Sequence, residues 1–353
     1  MTNSIQLKQK LNLIQLLRGL ASLLVVFYHV TTSSKETYNF NFLGGFFMFG
    51  RAGVDIFFVL SGFIITYTNL HLIKEGASLI SFLKKRFIRI FPIYWIFISF
   101  FLSLQIFLPS FYHSFFKLSF ENIASTYFLL PRHIMLNGVS WTLSFELFFY
   151  SLFSLAFLLR KKMILLIASF TFIAIIIILS VFNVKEVDSN NWINLFFSPM
   201  ILEFFMGILA ALIISNIPTK IAIPFIIFGT VSFIFSGIFE DYLISYKLKA
   251  LDNVIYFGIP SLFLIIGIVK LETIKNIHVP KFFVSLGEAS YSLYLMHIPI
   301  VVGFMRVLKS KMNVNEIILQ IIFLILILFI CRISIYIFEW IEKPLGKYLN
   351  KII

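Results

Sequence analysis

The residues with the means to do chemistry are ionisable groups embedded in strongly apolar runs. Arg18 and His29 are separated by eleven positions. At about 100° per residue, eleven steps return to within about 20° of the starting direction, so on a helix the two side chains share one face, with Ser22 between them. Along the axis they stand about 16 Å apart. An ionisable side chain at mid-bilayer costs at least ~2.5–3.5 kcal/mol, so a stripe running from Arg to a deep His is what a lined cavity would require. The competing reading has Arg18 reaching back to headgroups and His29 satisfied by packing.

Further candidates follow along the chain. Asp55 sits in Gly53-Val-Asp-Ile-Phe-Phe-Val-Leu-Ser-Gly62, with Arg51 as the nearest cation in sequence, so a substrate contact and a structural ion pair both fit it. In Lys84-Lys-Arg-Phe-Ile-Arg-Ile-Phe-Pro-Ile-Tyr-Trp95, Arg86 and Arg89 share a face at i, i+3, with Lys85 alongside and Pro92 able to kink the helix. Two forked guanidiniums suit phosphate. Anchoring to anionic lipid is the plainer alternative, and Tyr94 and Trp95 read first as an interfacial belt. Ser140-Trp-Thr-Leu-Ser-Phe-Glu-Leu-Phe-Phe-Tyr150 places Glu146 and Tyr150 at i, i+4, with Trp141 and Ser144 on the neighbouring stripe. A Glu in so aromatic a helix needs a partner or a role. Glu203, more isolated, reads as a structural ion pair. Ser290, Tyr294 and His297 share a face at i, i+4, i+7. The six histidines show no His-x-x-x-His spacing, so no metal site is expected.

The elements that must position these groups follow from composition. Of 353 residues 60% are apolar and only 13% charged, and 46 are Phe. A soluble domain carries about 25% charge, which excludes a soluble enzyme, a disordered chain and a disulfide-stapled secreted domain. Apolar runs at 11–30, 42–67, 88–108, 140–159, 164–182, 195–214, 221–239, 254–269, 282–307 and 316–337 predict an all-α transmembrane bundle of about ten spans. The net charge of +13 is spread over short loops, where it biases orientation toward both termini being cytoplasmic rather than marking a nucleic-acid surface. The segment 109–139, with His113, Lys117, Glu121, Arg132 and His133, is expected to form an amphipathic cap. No repeat or low-complexity segment is visible, so one domain, 1–353, is expected. The single Cys331 lies in an apolar run, and no cleavable signal is evident.

Taken in order, these segments resemble the acyltransferase-3 family of bacterial integral-membrane acyltransferases. The matches are Arg18-x10-His29, the Gly53–Gly62 segment, Arg86-x-x-Arg89-Ile-x-Pro-x-Tyr-Trp95, Ser140-Trp-Thr-Leu-Ser-Phe-Glu146 and the tail Phe338-Glu-Trp-Ile-Glu-Lys-Pro344. The Trp-Thr-Leu-Ser-Phe-Glu form looks most like the exopolysaccharide O-acetyltransferase branch. The resemblance implies transfer of an acyl group, usually acetyl, from cytosolic acyl-CoA to a hydroxyl of an envelope carbohydrate such as exopolysaccharide, capsule or O-antigen. It implies Arg18 and His29 as the catalytic pair and Arg86 and Arg89 as acyl-CoA residues. Tyr94 is grouped with the donor site. Glu146 is assigned to orienting His29 or a sugar hydroxyl, and Asp55, Trp141, Ser144, Tyr150 and His297 to the substrate. Many family members continue into a soluble SGNH hydrolase-like domain, which this chain is expected to lack.

The expected setting is the bacterial inner membrane. Expected partners are the bilayer, a free or lipid-linked carbohydrate, and polysaccharide-synthesis proteins, with no nucleic acid. Acetyl-CoA is expected as donor substrate, with no permanently bound cofactor. The rival class is a transporter or flippase of lipid-linked sugars, which predicts repeat symmetry and paired broken helices that the sequence does not show.

Overall fold

The computed structural model describes residues 11–74, 78–108, 116–131, 135–159, 171, 175, 192–243, 251–311 and 315–352. Every regular element among them is helical. Of the expected span 164–182 only residues 171 and 175 are described; His113, Arg132 and His133 lie outside the described residues.

Helix α1 (Asn12–Tyr38) ends where Asn39 takes the left-handed conformation at φ 53° and its N–H returns to the Lys35 and Ser34 carbonyls. A 3-10 stretch, Phe42–Ala52, then folds back along α1, its turn made by Gly44 and Gly45 at φ 66° and 78°. It runs directly into α2 (Gly53–Lys74). Helix α3 (Leu79–Phe107) is capped by Ser78, whose side chain accepts from Ile80 N. It therefore begins nine residues before the expected start at Ile88, so the basic segment forms its first turns rather than a loop. Pro92 lies within it.

A short α4 (Phe120–Tyr127) precedes α5 (Trp141–Leu159). The expected span 195–214 is divided into α6 (Trp192–Phe197) and α7 (Ile201–Ile213), interrupted at Pro199. At 13 residues, about 20 Å, α7 is shorter than the ~30 Å hydrocarbon layer. Next come α8 (Ala222–Ile238), α9 (Glu240–Leu243) and α10 (Ile259–Ile274). The expected span 282–307 breaks at Ala289 into α11 (Lys281–Glu288) and α12 (Ser290–Lys311). Helix α13 (Glu316–Ile337) continues through a wide turn at Phe338–Glu342 into α14 (Lys343–Ile352). That continuous stretch of 37 residues is about 55 Å long, so its ends project beyond the hydrocarbon layer.

Seven helices among the described residues are long and apolar enough to cross a bilayer. The outward faces of α8 and α13 are apolar: Ile227, Phe228, Val231 and Phe235 on one, Ile318, Ile321, Ile325 and Phe329 on the other, all exposed. Such faces belong in lipid, where a helix satisfies its own backbone. This accounts for phenylalanine in excess of what a core holds.

Close approach replaces hydrophobic drive in the interior. Helices α2 and α7 cross at Gly62 and Gly207: a Cβ on Gly62 would stand 2.0 Å from the Phe204 carbonyl oxygen, and one on Gly207 2.1 Å from that of Val59. Gly287 of α11 is likewise laid against the Gln15 carbonyl of α1, and α1, α2, α3, α5 and α12 surround one central space.

Candidate active site

A cavity of about 210 Å³ occupies that space, and three guanidinium groups, Arg18, Arg86 and Arg89, line it. The first turns of α1 and α3 supply them. Arg18 donates to Ser290 Oγ at 2.8 Å and Gln15 Oε1 at 3.1 Å. Arg86 lies over the rings of Phe82 and Tyr150, 5.4 and 5.6 Å from their centroids, and its buried Nε has no hydrogen-bond partner. Arg89 lies 5.7 Å from the Tyr291 ring centroid and donates from Nη1 to Glu342 Oε1 at 3.2 Å.

Two carboxylates oppose these three cations. Glu146 accepts the Tyr150 hydroxyl, as their i, i+4 spacing on α5 allows. Glu342, buried, holds Arg89 through one oxygen and accepts Ser292 Oγ at 2.6 Å through the other. The excess of positive charge, with donors in forked geometry, suits a polyanion such as a chain of phosphates.

His29 is half-buried and lies outside this cavity. Its ring is 5.2 Å from that of His297 and 4.9 Å from that of Tyr28. His297 is fully buried, with Nδ1 3.1 Å from the Leu293 carbonyl. A carbonyl only accepts, so the proton resides on Nδ1 and Nε2 presents a lone pair with no partner. Tyr294 joins the two regions: it lines the cavity, and its ring lies 5.7 Å from that of His297. Its hydroxyl is held by Thr142 Oγ1 at 2.8 Å and the Val139 carbonyl at 3.1 Å.

Of the residues singled out in the sequence, Arg18, Arg86, Arg89, Glu146 and Tyr150 therefore meet around one space, and His29 and His297 meet beside it. The polar stripe expected between Arg18 and His29 is not continuous. Ser22 hydrogen-bonds the Arg18 and Gly19 carbonyls of its own helix, and neither it nor His29 lines the cavity that Arg18 lines. Glu146 faces the arginines and Tyr150, not His29.

Others are engaged elsewhere. Tyr94 is fully buried, its hydroxyl donating to the Thr126 carbonyl at 2.8 Å, and Trp95 Nε1 donates to the Tyr127 carbonyl at 2.9 Å. Both tie α3 to the end of α4, so neither is a free interfacial residue. Ser144 donates to the Leu129 carbonyl at 2.7 Å, and Trp141 packs edge-on against Phe58 and Phe145. Arg51 is not the partner of Asp55. It binds Glu240 and, at 3.2 Å, Asn253. Asp55 is buried against Glu203 of α7, and both Glu203 oxygens lack a hydrogen-bond partner, so the ion pair expected for Glu203 is absent among the described residues. Among those residues no group of three or more His, Cys, Asp or Glu converges as metal ligands would.

Sequence reasoning missed Glu342, Tyr291 and Thr142 as cavity neighbours. The rule that marked Glu146, a carboxylate in an apolar run, applies equally to Glu342, but it also marks Glu339, which is exposed.

A family model described as an acyltransferase domain matches residues 11–336. The exopolysaccharide production protein ExoZ of Rhizobium meliloti (strain 1021) is 28% identical over 267 residues, covering 72% of this chain and 77% of that protein. No solved structure matches the chain.

Proposed function

The chain belongs to the acyltransferase-3 family and is an O-acyltransferase, and on that premise we propose that it moves an acetyl group from cytosolic acetyl-CoA to a hydroxyl of an envelope polysaccharide. The observation that carries the donor assignment is the cavity lined by three guanidiniums and one carboxylate, in which the buried Arg86 Nε still has a hydrogen to give. Arg86 and Arg89 hold the phosphates, with the exposed Lys85 beside them. Arg18 takes the arm, whose amide carbonyls accept from its guanidinium in the cavity.

The reacting centre is His29. As a neutral imidazole it takes the proton of the acceptor hydroxyl while that oxygen attacks the thioester carbonyl. The carbon–sulfur bond breaks, and the imidazolium returns the proton to the departing thiolate, so the reaction is proton-neutral overall. The arm must pass Tyr294 to reach this point.

The name of the ExoZ relative supports an exopolysaccharide, or its lipid-linked precursor, as the acceptor class. The chain is placed in the inner membrane with about ten spans and both termini cytoplasmic. In support, α1 and α3 bring residues of their first halves, Arg18 and Arg89, to one cavity, and Glu342 in the segment after α13 bonds to Arg89 there. Complementation tests the whole reading. A strain lacking the gene should lose O-acetyl signals from its surface polysaccharide by proton NMR. The wild-type gene should restore them, and His29→Ala, inserted normally, should not. Full restoration by His29→Ala refutes the base assignment.

A further inference from the structure

We infer that Glu342, in the segment after the last long helix, is a positioning residue of the donor site: it fixes the Arg89 guanidinium in the cavity wall so that its remaining N–H groups face the incoming phosphate. The inference rests on the reading of the arginine cavity as the acyl-CoA site.

Three observations carry it. Glu342 is buried while its neighbours Glu339, Trp340, Ile341 and Lys343 are exposed, so this one side chain is turned into the bundle. Both its oxygens are used, one by Arg89 Nη1 at 3.2 Å and the other by Ser292 Oγ at 2.6 Å, which fixes the carboxylate before it fixes the arginine. The backbone is built for the purpose. Pro344 has no N–H to return to the preceding turn, and the Lys343 N–H reaches back five residues to the Phe338 carbonyl, widening the helix where Glu342 projects. Among the described residues the other restraint on Arg89 is the face of Tyr291, whose hydroxyl is itself tied to the Ile90 carbonyl at 2.9 Å. An arginine side chain left to its own rotamers loses that entropy on binding phosphate; one already held does not.

The test is CoA binding to the purified full-length protein in nanodiscs, by calorimetry, with pantetheine as a probe that carries no phosphate. Glu342→Gln should weaken CoA about tenfold, the loss expected when a charge-assisted hydrogen bond ceases to hold Arg89, and leave pantetheine unchanged. Glu342→Asp should recover part of the loss, and Glu339→Gln on the exposed face should bind CoA as wild type does. If Glu342→Gln does not fold, Ser292→Ala should show a smaller loss with the same restriction to CoA, and no loss there overturns the inference. Unchanged or tighter CoA binding by a folded Glu342→Gln also overturns it, provided Arg89→Ala weakens CoA. If Arg89→Ala leaves CoA binding unchanged, the donor-site reading itself falls and this inference with it.

Discussion

Tyr294 and His297, three residues apart on one face of α12, link the arginine cavity to His29: the tyrosine ring lines the cavity, and the histidine ring 5.7 Å from it lies 5.2 Å from that of His29. Between the cavity and the His29 imidazole the ring contacts run through Tyr294 and His297, and the Tyr294 hydroxyl is pinned by Thr142 and the Val139 carbonyl. On the proposed reaction the arm reaches His29 past Tyr294, and that side chain must then move.

Enlarging it should block passage without disturbing phosphate contacts. Tyr294→Trp is expected to lower kcat by about tenfold or more, a displacement of reacting atoms of the kind that costs up to 10²-fold. CoA affinity should stay within twofold. A variant that turns over normally shows that the arm reaches His29 by another route.

Arg86 stacks on two rings and offers an unpartnered Nε–H, and lysine reproduces neither feature. Arg86→Lys should raise the KM for acetyl-CoA about tenfold, of the order of one lost charge-assisted hydrogen bond, with kcat little changed. Steady-state thiol release measures both constants, and a KM equal to wild type contradicts the assignment.

The crossing of α2 and α7 has no room for a methyl group at Gly62, where a Cβ would stand 2.0 Å from a carbonyl oxygen. Gly62→Ala should destabilise the protein by about 1–3 kcal/mol through overpacking. Unfolding in mild detergent, followed by intrinsic fluorescence, should show a lower midpoint; an unchanged midpoint means the helices separate at little cost.

Among the described residues Glu203 has no cationic partner, and it is buried against the Asp55 carboxyl. Two carboxyls buried against each other do not both carry charge at low cost, and replacing one with a neutral amide removes that conflict. Glu203→Gln should therefore leave the melting temperature equal or raised, with transfer activity retained. A pronounced drop in the melting temperature would show that the second carboxyl holds something the helices need.

What the sequence determined by itself was whatever depends on composition or on one helix. An excess of apolar residues with so little charge has no stable home but a bilayer, and the angular period of a helix puts Arg86 beside Arg89 and Tyr150 within reach of Glu146 wherever those helices go. The ends were less legible. Strong apolarity hides breaks such as those at Pro199 and Ala289, because lipid accepts an apolar run whether or not its helix is continuous. Only the tertiary structure decided which faces meet. The periodicity of α1 puts Arg18 and His29 on one side but is silent about α12, which sets Ser290 against the one and His297 against the other. Nothing local to Arg89 announces a carboxylate 253 residues later in the chain. A helix's sequence sets its own azimuths; the azimuth and depth of its neighbour come from packing, here from glycine crossings that fix how closely the helices approach.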